Sequence, residues 1–223
     1  MITEFSLQKY DTKETIYRTI DKLRYSLGIS SYPINAKLIA QSCCKAPKIE
    51  YLDFDTNDIC GILYKGDVST TIALNRSRSE SQQNFDCMHE EIHYFSHDIS
   101  YCKCVCSEKV IRQERSIEYQ ANEGAAQLLV PYQDFIPRFV GCLGKKQQHP
   151  WIQNDLAEFY CVTPQVINNR MDNLSYEIDQ FRCGVKIENL ELLSRSQRIK
   201  RGIKTTCYAA MCAFPLSWDD KIG

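Results

Sequence analysis

Residues 77–97, SRSESQQNFDCMHEEIHYFSH, carry two patterns on one stretch of chain. Phe85, Met88, Ile92 and Phe95 recur at intervals of three, four and three, the spacing of one helical face. Ser77 and Glu80 have capping-box spacing, so the expected helix covers about 78–97. His89 and His93 stand four apart on it and face the same side, where both can reach one ion. Glu90, beside the first histidine, can accept a proton from an activated water without binding the ion itself. The chain has 4 histidines, so spending two of them this way is informative.

A catalytic zinc site takes a third protein ligand and leaves the fourth position open. His97 lies eight residues beyond His89, some 12 Å of axial rise, and one rigid helix cannot bring all three histidines to one ion. His97 instead reads as a hydrogen-bonded residue closing the helix. The metzincin spacing would need a histidine where the chain has Ile99. A carboxylate on the next helix is the alternative, and Glu118 and Glu123 both qualify by type. Asn122, four residues after Glu118, shares its face and can hydrogen-bond a ligand. Tyr94, His97, Tyr119, Tyr132 and His149 are all able to stabilise an oxyanion.

Around this helix the sequence predicts a mixed fold. Ile16, Ile20, Leu23 and Leu27 mark a helix stopped by Gly28, and a second, shorter one opens at Pro33. Strands are expected at 48–52, 60–66 and 70–75, the last two joined by a GDVS hairpin turn. Residues 98–111 read as a loop. A helix of about 112–130 ends at Pro131, and Ala121, Gly124, Ala125 and Ala126 let another helix approach it closely. Two helices with a tight turn fill 154–174, with Thr163 as N-cap and Pro164 as first helical residue. The last forty residues show the least regularity.

These motifs resemble the ImmA/IrrE family of metallo-endopeptidases, whose pattern runs F-x-x-A-H-E-L-G-H-x-x-x-H and then E-x-x-A-N-x-F-A-x-x-L-L-x-P. Phe85, His89, Glu90, His93 and His97 match the first part; Glu118, Ala121, Asn122, Ala125, Leu128, Leu129 and Pro131 match the second. The flanking segments YPINAKLIAQSC and LAEFYCVTPQVINNRMDNL are similar too, so the resemblance covers about residues 17–175. It implies zinc, with manganese as the alternative, held by His89, His93 and Glu118, with Glu90 as general base and acid. Asn122, His97 and Tyr132 are then the candidates for supporting the ligands or the transition state. The implied fold is α+β, a zincin-like domain with a short sheet and active-site helices at 1–140. A helical, helix-turn-helix-like subdomain follows at 141–183, then an extension at 184–223. The implied activity is site-specific cleavage of a helix-turn-helix repressor of a mobile element or stress response. The alternative is a non-catalytic regulator that binds a repressor or antitoxin-like partner through the same scaffold. The chain departs from the pattern at Met88, Glu91, Ile92 and Gly124, which stand where Ala, Leu, Gly and Phe are usual. Ile92 has the largest steric consequence, because it fills a place where glycine allows close packing or substrate approach.

Composition narrows the partners. A formal net charge of −1 makes no general case for nucleic-acid or anionic-membrane binding. The would-be recognition helix, PQVINNRMDNL, has Arg170 as its one basic residue. The run Arg195, Arg198, Lys200, Arg201 and Lys204 reads as a solvated face. No apolar run approaches the roughly 20 residues of a membrane span, and the polar N-terminus lacks a signal peptide, which together predict a cytoplasmic protein. The 12 cysteines are scattered through apolar segments, as expected of reduced thiols, and Cys102, Cys104 and Cys106 lack the C-x2-C spacing of a zinc site.

Overall fold

The computed structural model of the chain describes residues 7, 11–42, 46–54, 59–66, 68–97, 103–107, 117–144 and 149–213. The chain divides into two compact units, Met1–Leu129 with Tyr160–Val162, and Val130–Phe159 with Thr163–Gly223. The architecture is α+β, as predicted from the sequence.

The first unit is built on a four-stranded sheet of β1 (Lys48–Leu52), β2 (Ile59–Lys65), β3 (Thr70–Asn75) and β4 (Lys103–Ser107), in the order β1-β3-β2-β4. β1 runs parallel to β3, while β2 is antiparallel to both of its neighbours. The β2–β3 hairpin closes where the sequence places it, with the Gly66 N–H donating to the Ser69 carbonyl at 3.0 Å. β4 corrects the loop expected over 98–111. It pairs with β2 through Leu63↔Cys104 and Tyr64↔Lys103. A five-residue edge strand owes its conformation to the partner's ladder more than to its own propensity, so no periodic signal betrays it. The cysteine cluster itself lies outside what is described, Cys102 wholly and Cys104 and Cys106 in their side chains.

Four helices complete this unit: α1 (Lys13–Ser26), α2 (Ala36–Gln41), α3 (Glu80–Ser96) and α4 (Ile117–Leu129). Two of their starts differ from expectation. α2 begins beyond Pro33 because Asn35 caps it, its side-chain oxygen accepting the Leu38 N–H at 3.4 Å. In α3 the capping box is Ser79 and Gln82, two residues later than predicted. The Ser79 hydroxyl accepts the Gln82 N–H, and the Gln82 side chain accepts the Ser79 N–H at 2.9 Å. Ser77 is diverted, its N–H and hydroxyl both donating to Asn75 Oδ1 at 3.0 and 2.8 Å.

The core gathers Ile16, Tyr17, Ile20 and Leu23 of α1, Leu63, Ile72 and Leu74 of the sheet, Met88 and Ile92 of α3, and Ala121, Ala125 and Leu128 of α4, all fully buried. Ile92 and Gly124 explain each other. A Cβ added to Gly124 would lie 2.9 Å from Ile92 Cγ2 and 3.3 Å from Ile20 Cδ1. The bulk missing from α4 is therefore supplied by α3, and Ile92 sits in the helix interface rather than toward a substrate.

Asn84 fastens three chain segments with one buried amide. Its oxygen accepts the Ala36 N–H at 2.9 Å, and its Nδ2 donates to the carbonyls of Ile34 and Cys161, each at 3.0 Å. The segment Tyr160–Val162 is thereby part of this unit, and the buried Tyr160 ring meets Tyr32 edge to face at 5.2 Å.

The second unit is helical: α5 (Tyr132–Gly144), most of α6 (His149–Tyr160), α7 (Pro164–Asn173), α8 (Ser175–Arg182), α9 (Arg195–Lys200) and α10 (Tyr208–Ala213). Thr163 caps α7 through the Val166 N–H, with Pro164 as its first residue, as predicted. Phe135, Phe139, Ile167, Met171, Ile178 and Tyr208 form its core. The expected solvated basic face is only partly so. Arg198 is buried on the Ser175 hydroxyl, and Arg201 pairs with Glu191 at 2.6 Å. The lone base of the would-be recognition helix, Arg170, is fully buried and donates to the Val130 carbonyl at 3.1 Å.

Candidate metal centre

α3 and α4 bring three donor groups together. His89 Nε2 lies 3.1 Å from His93 Nε2 and 3.2 Å from Glu118 Oε2, while His93 Nε2 lies 3.4 Å from Glu118 Oε1. Four-residue spacing on α3 supplies the two histidines, and Glu118 enters from the first turn of α4. The small residues Ala121, Gly124 and Ala125 let the two helices approach closely enough for this meeting. Among the described residues this is the one group of histidine, cysteine and acidic side chains with the geometry to hold a metal ion.

The donor set fits a divalent cation. Nitrogen and oxygen ligands about 2.0–2.1 Å from a tetrahedral zinc stand about 3.3–3.4 Å from one another. The observed separations of 3.1, 3.2 and 3.4 Å are of that size, the last two reaching different oxygens of the Glu118 carboxylate. Two imidazole nitrogens facing each other at such range also need a proton or a cation between them. Both histidines are buried, while the Glu118 side chain is 36% exposed and gives the site its contact with solvent.

Each charge responds to this crowding. Burial alone would lower the His89 pKa, but its hydrogen bond to Glu118 and the nearby Glu90 carboxylate reverse that, and the pKa is raised. His93 is lowered, by burial foremost and by His89. Burial would raise Glu118, yet its close contacts with both histidines hold it well below the usual carboxylate range.

Glu90 is fully buried, and among the described residues the Leu63 backbone on β2 is the one group near enough to favour its charged form by hydrogen bonding, though outside full hydrogen-bond geometry. Burial pushes its pKa up to about 8. The space around it is left by Gly61 on β2, where an added Cβ would stand 3.4 Å from both Glu90 Cγ and Oε1. Sequence reasoning missed Gly61, although a glycine inside a strand is a recognised sign of close approach.

The remaining candidates separate clearly. Asn122 Oδ1 lies 3.0 Å from His89 Nδ1, the side of the ring away from the triad. Glu123 points elsewhere, accepting the Tyr17 hydroxyl at 2.7 Å. His97 is the C-cap of α3 and stays out of the triad; its Nδ1 meets His93 Nδ1 at 2.9 Å and its Nε2 meets Gln120 Oε1 at 3.0 Å. Gln120 is a residue no periodicity singled out. Tyr94 stacks edge-on against Phe95, and Tyr132 opens α5 in the second unit. The side chain of His149 lies outside the described residues. Glu91, where Leu is usual, is fully buried and accepts the Cys87 thiol at 3.3 Å; burial pushes both groups well above their ordinary pKa values.

Residues 44–172, more than half of the chain, match the IrrE N-terminal-like domain, a peptidase family. No curated protein matches the chain. No helix among the described residues is long and apolar enough to cross a membrane.

Proposed function

The chain belongs to the peptidase family of IrrE N-terminal-like domains, and on that premise we propose that it is a zinc-dependent endopeptidase acting on a helix-turn-helix repressor. The observation that carries this reading is the triad of His89, His93 and Glu118 set beside a buried Glu90. The two Nε2 atoms and the Glu118 carboxylate would hold the ion, with zinc favoured by the nitrogen-rich donor set and manganese as the alternative. When bound, such an ion supplies Lewis acidity, making a water acidic and polarising the scissile carbonyl.

The chain's own groups do the rest. Glu90 takes a proton from the attacking water on a carboxylate oxygen and delivers it to the leaving amine. Its burial keeps that carboxylate poorly solvated and thus a better base than an exposed one. Asn122 accepts from His89 Nδ1–H and leaves Nε2 free as a ligand. Glu118 would balance part of the ion's charge. The substrate class, a repressor whose cleavage relieves transcriptional control in the cytoplasm, rests on the family resemblance.

Elemental analysis of the purified chain beside His93→Ala and Glu118→Ala tests the site. About one zinc per chain, lost in both variants, is expected for a three-ligand centre. Incubation with helix-turn-helix repressors encoded near the gene should then give two fragments with the parent and none with Glu90→Gln. Stoichiometric binding of a repressor without cleavage would replace this reading with that of a non-catalytic regulator.

A further inference from the structure

We infer that Gln120 is a positioning residue which, acting through His97, decides which nitrogen of His93 is free to bind a cation. The inference rests on the metal-site reading above and adds a wiring to it. Three side chains form one line from α4 to the triad: Gln120 Oε1 to His97 Nε2 at 3.0 Å, and His97 Nδ1 to His93 Nδ1 at 2.9 Å. Gln120 is 1% exposed, His97 7% and His93 0%, so water does not substitute for any link.

The sense of the line follows from its far end. An amide oxygen only accepts, so His97 Nε2 must carry the hydrogen. A neutral imidazole protonated on Nε2 has a bare Nδ1, and His97 Nδ1 therefore accepts. His93 Nδ1 must then donate, which leaves His93 Nε2 without a hydrogen of its own, free to bind a cation and, without one, to accept the proton that lies between it and His89 Nε2. Reversing any link puts the hydrogen on His93 Nε2 and closes that ligand position. His97 can reach back because the chain leaves the helix there: its backbone is extended, with φ −113° and ψ 130°, and its ring centroid sits 4.9 Å from that of His93. Nδ1–H is thus fixed on the two histidines by routes of different length, on His89 in one step from Asn122 and on His93 in two steps from Gln120.

Imidazole 15N spectra of the metal-free chain, taken with zinc titrations in competition with a chelator, test this on the parent, Gln120→Glu and Gln120→Leu. The parent should show His93 as the Nδ1–H tautomer and His97 as Nε2–H. Gln120→Glu keeps an acceptor and should preserve both tautomers, with zinc affinity within about threefold. Gln120→Leu removes the acceptor, and should populate both His97 tautomers and lower zinc affinity about 10–100-fold. A parent spectrum with His93 protonated on Nε2 rather than Nδ1 would overturn the inference, as would a Gln120→Leu chain with unchanged tautomers and affinity. If the leucine variant does not fold, the parent and glutamate spectra still decide the sense. Failure of the parent to take up zinc would sink the metal-site reading instead, while the tautomers continue to report on the wiring.

Discussion

Replacing Glu90 by Gln should raise the stability of the metal-free chain at the pH where the enzyme works, while removing its activity. Glu90 is fully buried, and burial outweighs His89 and the Leu63 backbone in raising its pKa from 4.5 to about 8. A carboxyl whose folded pKa is raised holds its proton longer in the folded than in the unfolded state. Its favourable contribution is complete below the unfolded value of 4.5 and is lost as pH climbs toward the folded value near 8. Each pH unit in that window costs about 1.4 kcal/mol, so between about pH 5.5 and 8 the parent should lose about 3 kcal/mol relative to the amide. Glu91 is common to both chains and cancels in the difference. Urea unfolding of both proteins in chelator across this range reads the quantity directly, from midpoints at constant slope. Cleavage should meanwhile fall by about 10²–10⁴. A stability difference that does not change with pH would refute the reasoning, since it would mean that Glu90 ionises in the fold as it does in the open chain.

The packing of Ile92 against Gly124 gives a second test. Gly124→Ala should cost about 1–3 kcal/mol by overpacking, and Ile92→Ala about 2–5 kcal/mol by leaving a cavity. Combined, they should cost less than their sum by at least about 1 kcal/mol in a double-mutant cycle. Asn122→Leu should weaken zinc binding about 10–100-fold in a chelator competition, because His89 loses the group that fixes its tautomer. Ser79→Ala should lower the denaturation midpoint by an amount equivalent to about 1 kcal/mol, the worth of the N-cap of α3.

What could be read in the sequence was local and periodic. Met88 and Ile92 on the core face of α3, the side shared by His89 and His93, the β2–β3 hairpin and the Thr163 cap all depend on spacings of a few residues and stand where expected. Phe85 and Phe95 of the same spacing are only half-buried, because α3 is enclosed on most of its sides. Choosing Glu118 over Glu123 needed the family pattern, because both carboxylates lie on one helix and only the packing of α4 turns Glu123 onto Tyr17. β4 went unread because an edge strand is made by its partner. Ile92 and Gly124 were each visible as departures, but their pairing is a fact of three dimensions, as is the meeting of Gln120 with His97. The cap of α3 was misplaced because two serines compete there, and Asn75 claims one of them.

The amide of Asn84 has a consequence for the order in which this protein can be made. It reaches Cys161, and Tyr160 covers Tyr32, so the first unit draws its last three residues from beyond a 130–159 excursion that belongs to the second. A nascent chain emerging from the ribosome therefore cannot complete its N-terminal core when residue 129 appears. It must wait for residue 162, by which time α5 and α6 are already outside. The usual sequence in which an N-terminal domain folds first and hands over to the next is thereby delayed for its last contacts. A chain terminated anywhere between 130 and 159 should be bound by chaperones and lost to proteases, even though every candidate metal ligand has already been synthesised.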